Sequence, residues 1–373
     1  MTNNKIHIIC LDVPYPPNYG GAIETFYKIK SLQSIGVKLH VHAFVYGDRQ
    51  ESELLESQVD EVSYYRRNTA IIKLFGHIPY IVNTRESKKL LNNLLADEAP
   101  IIFDGLHTTA FLTHPQLKNR VKIVRMHNVE WIYYQHLADI EHDYLKKLYF
   151  RQESSKLKDW ETTLLEATKI SCLSTRDEGY YKKKGISQVN FVPAFHENEH
   201  CTSLIGRGNY LLFHGNLNIS DNIKSLYHFI NNRLEGDISH LKVAGKCSNN
   251  RLSSRLKKDF GENLELNPDL DRMSSLVKNA HINLALGNAP TGVKLKLINS
   301  LFQGRFCVAD EDSVMGSGLD HLVIKSQDFN FDEWRERPFT EEDLHVRKQG
   351  LGIYNNIENA KILISDILNT TRM

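Results

Sequence analysis

Residues 5–44 read KIHIICLDVPYPPNYGGAIETFYKIKSLQSIGVKLHVHAF and spell a strand, a loop, a helix and a second strand. KIHIICLD (residues 5–12) is short, apolar and β-branched, the pattern of a strand buried on both faces of a parallel sheet. DVPYPPNYGG (residues 12–21) holds three prolines. They fix the backbone and remove donors, which excludes helix and central strand. From residue 22 to 34, Ile23, Phe26, Tyr27, Ile29 and Leu32 fall close to helical spacing. Gly36 suits the position just past a helix C-terminus. Residues 37–44 alternate and return as a strand. The unit is βαβ, right-handed, and feeds a parallel sheet.

The loop carries the functional information. Gly20 and Gly21 stand at the helix start. Glycines there let a ligand approach bare N–H groups at the positive end of the helix dipole, which favours phosphate. A tight packing turn accounts for the pair equally well. Neither GxGxxG nor GxxxxGK[ST] occurs in the chain.

The chain has 373 residues, enough for two domains. Hydrophobic residues make up 41%, charged residues 24%, and the formal net charge is +1. That balance fits a globular protein and gives no global field for nucleic acid. No apolar run is long enough to span a bilayer, and no leader pattern precedes the first strand. Cys10, Cys172 and Cys307 lie in apolar, strand-like runs, as buried free thiols do; Cys201 and Cys247 are scattered. The expected compartment is the cytoplasm.

Strand and helix patterns alternate along the chain. Strands are expected at 59–65, 100–104, 121–126, 169–173 and 188–194, with helices at 87–96 and 143–166. Residues 66–89 mix six basic residues with Ile71, Ile72, Leu74, Phe75, Ile78 and Tyr80. Such a stretch either lies on an anionic membrane surface or is a solvated face with apolar anchors. HENEHCTSLIGRGN (196–209) is polar and aperiodic, as a linker is. After it, strands are expected at 210–214, 240–244, 263–266, 280–286 and 305–309. Helices are expected at 221–231, 252–258, 271–279, 293–302 and 355–368. The simplest architecture is two doubly wound α/β domains facing across a cleft.

Several motifs compete. His196-Glu197-Asn198-Glu199-His200 matches HExxH, but that pattern binds zinc only on a helix, and here it falls in the linker. No metal is expected. Asp269-Leu270-Asp271 and Asp310-Glu311-Asp312 match DxD and read as a helix cap and a surface loop. His127, Asn128 and Glu130 follow a strand that ends at Met126, a functional position in this architecture. In PTGVKLKLINSLFQG (290–304), Thr291 or Gly292 is expected to start a helix. Lys294 and Lys296 then fall in its first turns, where cations oppose the dipole unless an anion is bound.

These stretches together resemble the retaining nucleotide-sugar glycosyltransferases of GT-B fold, especially family four, over most of the chain. PYPPNYGGAIETFYKIKSLQSIGVKLHVHAF is similar to that family's opening. VRMHNVEWIYY resembles its His-bearing loop, and LSTRDEGYY and VNFVPAF the close of its first domain. LLFHGNLNISDNIKSL resembles the opening of its second domain. TGVKLKLINSLFQGR is similar to a divergent subgroup linked to bacterial surface polysaccharides. The family usually carries Gly-Arg, then a Lys, on the diphosphate; here Asn216 and Asn222 stand there. Its two glutamates correspond to Thr291 and Asn299.

The resemblance implies two Rossmann-like domains. Residues 1–197 would form the acceptor domain, 198–209 a linker and 210–352 the donor domain, with 353–373 crossing back as a helix. Gly20 and Gly21 would lie near the donor phosphates, with Asn216, Asn222, Thr291, Gly292 and Asn299 on the donor side. His127, Lys294 and Lys296 would carry catalysis, and Tyr19, Asn128 and Glu130 would line the acceptor side. No cofactor or metal is implied. The expected partners are a nucleotide-sugar donor and a glycan or lipid-linked glycan acceptor, with peripheral contact at the inner membrane face and no nucleic acid. The expected activity is hexosyl transfer. Rival readings are a non-catalytic nucleotide-sugar-binding subunit and a nucleotide-sugar epimerase on the same fold.

Overall fold

A computed structural model describes residues 5–287, 290–365 and 367. The chain divides into two compact units. The first comprises Met1–Glu197, Pro290–Gly292 and Tyr354–Met373; the second comprises Asn198–Ala289 and Val293–Ile353.

The first unit holds strands β1 (Lys5–Ile9), β2 (Lys38–Val45), β3 (Glu61–Arg66), β4 (Ile101–Asp104), β5 (Lys122–Met126), β6 (Lys169–Cys172) and β7 (Val189–Phe191). They form one sheet in the order β3-β2-β1-β4-β5-β6-β7, parallel at every pairing. Both faces are covered, which is why these strands read as near-continuous apolar runs. On one face Ile6, Ile8, Val41 and Ile102 pack with Ile29 and Leu32 of the Gly20–Ser34 helix. On the other, Ile9, Phe103, Val124 and Met126 pack with Leu90, Leu157 and Tyr181. Gly36 sits at φ +86°, and its N–H bonds Gln33 O at 2.9 Å, closing the helix as its position in sequence implies. β7 stops short of the expected 194 because the Val192 and Pro193 carbonyls accept instead from the Arg125 guanidinium, at 2.7 and 2.9 Å.

The Asn356–Leu363 helix belongs to this first unit. Ala360, Leu363, Ile364 and Ile367 join Ile29 and Leu32 in the core. Residue 368, the expected helix end, lies outside the described residues. Leu363→Ala is expected to lower stability by about 2–5 kcal/mol, because the buried side chain leaves a cavity that the sheet cannot collapse into. Urea unfolding of the full chain measures this.

The second unit holds β8 (Leu211–Asn216), β9 (Leu241–Lys246), β10 (Leu264–Leu266), β11 (Ile282–Ala285), β12 (Phe306–Ala309) and β13 (Ile324–Lys325). Their order is β10-β9-β8-β11-β12-β13, again all parallel. Each sheet therefore reverses direction once, between β1 and β4 and between β8 and β11. In such sheets ligands bind outside the carboxyl ends of the strands at that reversal.

Three differences from the sequence expectations bear on function. The helix expected from Thr291 or Gly292 begins at Leu295; Gly292 has φ +72°, and Lys294 is its extended N-cap residue. Residues 198–209, read as a linker, are bonded within the second unit: Thr202 N–H to Phe302 O at 2.7 Å, and Gly206 paired with Phe339. Asp310, read as part of a surface loop, stands just before the short Glu311–Val314 helix without capping it, and its carboxylate accepts from Gly287 N–H at 3.0 Å and Ser326 Oγ at 2.6 Å.

Candidate functional site

At the reversal point of the first sheet, five ionisable side chains meet in the interior. Asp104 ends β4, His127 follows β5, Arg125 is on β5, and Glu24 and Lys28 come from the Gly20–Ser34 helix. Lys28 Nζ donates to Glu24 Oε2 at 2.7 Å and also to Asp104 Oδ1. Arg125 Nε donates to Glu24 Oε1 at 2.9 Å. His127 Nε2 lies 2.8 Å from Asp104 Oδ1 and 3.4 Å from Glu24 Oε2. Thr25 Oγ1 donates to Asp104 Oδ2.

The charges hold one another in place. Burial alone would lower the His127 pKa, but the Asp104 and Glu24 carboxylates outweigh it and hold the imidazole above its ordinary value. Burial would raise Asp104; the Lys28 ammonium and His127 keep it well below the carboxylate range. Glu24 is likewise held down against burial by Lys28, Arg125 and His127. His127 is thus biased toward its protonated form at a strand's carboxyl end.

Glu24, Asp104 and His127 are close enough together to ligate a cation. Their carboxylates already bind one, the Lys28 ammonium, and Arg125 takes the remaining Glu24 oxygen. The set does not fit a divalent ion. A second group, His7, His40 and His42, is tied by hydrogen bonds: His7 Nδ1 to His42 at 2.8 Å, His7 Nε2 to Asp97 at 2.8 Å, and His42 Nδ1 to Tyr65 Oη at 2.7 Å. HENEH (196–200) is not helical, and His196 Nε2 bonds Tyr354 O at 2.8 Å.

The loop before the first helix is built around Tyr19. Its hydroxyl donates to Asp12 at 2.6 Å, and Arg49 stacks on its ring at 4.7 Å. A Cβ on Gly21 would come within 2.9 Å of that ring, so packing already requires glycine there. Gly20 is the first helical residue, and Tyr19 provides no side-chain cap. Glu130, expected on the acceptor side, is buried: it is 1% exposed, with Oε2 3.2 Å from His107 Nε2. The reason is its place in the first turn of the Glu130–Ile140 helix, on the face turned inward. Asn128 Oδ1 accepts from Thr291 Oγ1 at 3.3 Å. Gly292 N–H, expected as a free helix-start donor, is spent on Asp177 Oδ2 at 3.0 Å.

At the reversal point of the second sheet, the carboxyl ends of β8 and β11 carry Asn216 and the loop to Lys294. Asn222 Nδ2 donates to Asn216 O at 2.9 Å, and Asn216 Oδ1 accepts from Asn218 N–H at 3.0 Å. Gly287, at φ +151°, lies against both side chains: a Cβ there would make van der Waals contact with Lys294 Nζ at 3.5 Å and Asn222 Oδ1 at 3.8 Å. Among the described residues no hydrogen bond engages the Lys294 ammonium. Burial lowers its pKa, opposed by Asp221, Asp312 and Asp310. Lys296 differs. It donates to Leu286 O and lies over the Phe213 ring at 5.2 Å. Burial, and then the charge of Lys294, push its pKa down to about 7. Burial also pushes His214 down to about 3, so that its ring meets Ser300 Oγ (3.2 Å) as neutral imidazole. Asn299 is not grouped with the lysines; its Oδ1 accepts from Asn198 at 2.8 Å.

Sequence reasoning missed Glu24, Lys28, Asp104 and Asp310. The available signal was Glu24-Lys28 at i,i+4 on a helix whose apolar residues leave no clean polar face, and Asp104 closing the run IIFD.

No protein-family model matches the chain. A Klebsiella pneumoniae protein, described as an uncharacterized 44.6 kDa protein in the cps region, is 26% identical over 351 residues, covering 88% of this chain and 89% of its own length. Among solved structures, a sucrose-phosphate synthase from Thermosynechococcus elongatus superposes at TM-score 0.60 with 12% identity, over 99% of this chain and 97% of its own. S. aureus TarM, in complex with fondaparinux, α-GlcNAc-glycerol and UDP, gives 0.60 with 10% identity, over 98% and 99%. Anabaena HepE, in complex with UDP and glucose, gives 0.59 with 11% identity, over 99% of each chain. Two doubly wound parallel sheets of this strand order, matched along nearly the whole chain by such structures, give this protein the GT-B fold.

Proposed function

We propose that the protein is a glycosyltransferase that moves a sugar from a nucleotide-sugar donor to a glycan or lipid-linked glycan, in bacterial surface polysaccharide synthesis. The observation that carries this is Lys294: its ammonium, with no hydrogen bond among the described residues, stands beside Gly287 and Asn222 at the reversal point of the second sheet. The second unit binds the donor there and the first takes the acceptor. The fold neighbours solved with UDP and the relative from a cps region support this reading.

The chemical need is to stabilise charge on the leaving phosphate as the anomeric bond breaks. Lys294 supplies a charge-assisted hydrogen bond. Lys296 adds a second cation once an anion has restored its proton. His127, whose pKa Asp104 and Glu24 raise, orients the sugar. The leaving phosphate guides front-side attack, so the configuration is retained without a protein nucleophile, and no metal takes part.

Lys296 makes this reading testable through pH. Its folded pKa, about 7, is below the unfolded value of 10.5, so the folded state holds fewer protons in that window and its stability rises with pH there. Anion binding reverses the preference and takes up a proton. Nucleoside diphosphate affinity is therefore expected to rise as pH falls from about 9 to about 7. Lys296→Met is expected to flatten the slope; calorimetry in buffers of differing ionisation enthalpy measures it.

One observation favours a non-catalytic nucleotide-sugar-binding subunit: Asn216 and Asn222, at positions where the resembled family carries cations, bond each other. Measuring nucleotide release with and without acceptor glycans decides. Acceptor-dependent release that falls sharply in His127→Ala, with melting little changed, supports transfer. Binding without release supports the subunit. A changed sugar on an intact donor supports an epimerase.

A further inference from the structure

The five most exposed large apolar side chains among the described residues are Tyr144, Ile71, Leu145, Ile72 and Phe75, each 68–76% exposed. All lie in two segments of the first unit, residues 71–78 and the first turns of the Tyr144–Trp160 helix. Scattered exposed apolar residues need no explanation, but a cluster of the most exposed ones does.

The two segments are joined. Lys156 Nζ donates to Leu74 O at 2.6 Å, Glu153 Oε1 accepts from Ile81 N–H at 2.8 Å, and the Tyr80 and Tyr149 rings meet edge to face at 6.3 Å. Residues 74–81 therefore run alongside the helix, just after its exposed first turns. Among the described residues the exposed side chains of both segments are left uncovered. Leu148, one turn after Tyr144 and Leu145, is 54% exposed and extends the same helical strip.

The charge around this strip is mostly positive, although Asp139, Glu141 and Asp143 stand just before Tyr144. Residues 66–89 carry six cations and one anion, Glu86, in a chain of net charge +1. Some of those cations are committed inward: Arg85 is buried, and Lys73 bonds Asn83. Arg66, Lys88 and Lys89 remain exposed, as do Lys146 and Arg151 on the helix. A two-fold dimer through this face would set cations against cations. An anionic bilayer surface meets both features, taking the apolar side chains into its interface and the cations at its headgroups.

We propose that this face of the first unit docks the protein on an anionic lipid surface, with Ile71, Ile72 and Phe75 on one side and Tyr144, Leu145 and Leu148 on the other as the inserted residues. The proposal deepens the lipid-linked acceptor reading and rests on it for its purpose, though the docking is measurable by itself. It places the enzyme where a lipid-borne hydroxyl acceptor is presented.

The test is co-sedimentation of the full chain with phosphatidylcholine vesicles, with and without phosphatidylglycerol, at low and high salt. Binding is expected only with phosphatidylglycerol and is expected to weaken with salt. Ile72→Ser/Phe75→Ser and Leu145→Ser/Leu148→Ser each remove exposed side chains, so melting should be unchanged. Vesicle affinity is expected to fall about 10-fold or more in each. Lys146→Gln is expected to reduce the salt dependence. Failure to bind phosphatidylglycerol vesicles at low salt overturns the proposal, as does wild-type affinity in both serine pairs. A dimer in sedimentation velocity that the serine pairs abolish, with no vesicle binding, assigns the face to a second copy instead. Calorimetry with UDP alongside separates the two readings. UDP binding without vesicle binding removes only the docking; vesicle binding without any nucleotide binding or release removes the transferase reading and leaves the docking.

Discussion

Asp104→Ala is expected to lower stability by about 3–5 kcal/mol. The carboxylate is 1% exposed and is shared by Thr25, Lys28 and His127. Its removal leaves two buried cations facing Glu24 alone, which Arg125 already claims. Breaking a buried ion network from one side is costly because the surviving charges remain buried without partners. The His127 imidazole is expected to lose its proton, and its pKa, followed by NMR, to fall. The pH dependence has two signs. The depressed Asp104 pKa contributes stability above the unfolded value of 3.8, lost as pH falls through the folded one. The raised His127 pKa contributes stability fully present below 6.5 and lost as pH rises through its folded value. The gap between wild type and variant should thus be widest from mildly acid to neutral pH. Urea unfolding followed by fluorescence reads it, since Trp131 and Trp160 are both in the first unit. A loss under about 1 kcal/mol would mean that the cluster is far better hydrated than its burial implies.

The second large effect belongs to Lys294. Lys294→Ala is expected to weaken nucleoside diphosphate binding roughly 10- to 150-fold, the equivalent of one charge-assisted hydrogen bond. The bare nucleoside should bind as before. Lys296→Ala should cost less, because its ammonium is tied to the Leu286 carbonyl and is only partly charged near neutrality. On a regular helix, residues two apart point about 200° away from each other and would not share a phosphate. Lys294 escapes that limit as the extended residue before Leu295. Unchanged affinity of both variants for both ligands would mean that neither lysine contacts the donor phosphate.

The sequence made the strands legible because they depend on local patterns. Residues 5–12 are a buried run, Gly36 closes a helix, and each βαβ step dictates the next parallel strand. The start of the 295–303 helix was not legible. Gly292 at φ +72° and an extended Lys294 depend on what surrounds them, and VKLKL carries helical spacing before the helix begins. The Glu24–Asp104–His127 cluster was half legible. His127 stood at a strand end, but Glu24 and Lys28 look like an ordinary exposed i,i+4 pair. Only the sheet's lateral order brings Asp104 beneath them. Residues 311–350 went unread although Thr340 and Asp343 form a capping box, since no long apolar period announces the helices there.

Chain order has a consequence for biosynthesis. The Gly20–Ser34 helix at Ile29 and Leu32 is covered by the Asn356–Leu363 helix, whose codons follow those of the entire second unit. A ribosome adding about 5–20 residues per second needs roughly 8–30 s to travel from Glu197 to that helix. Throughout that interval the nascent first unit presents an apolar strip that its own chain cannot yet cover. The unit translated second is the first whose residues are all available, and the one translated first must wait, exposed to chaperones, for the last helix to emerge.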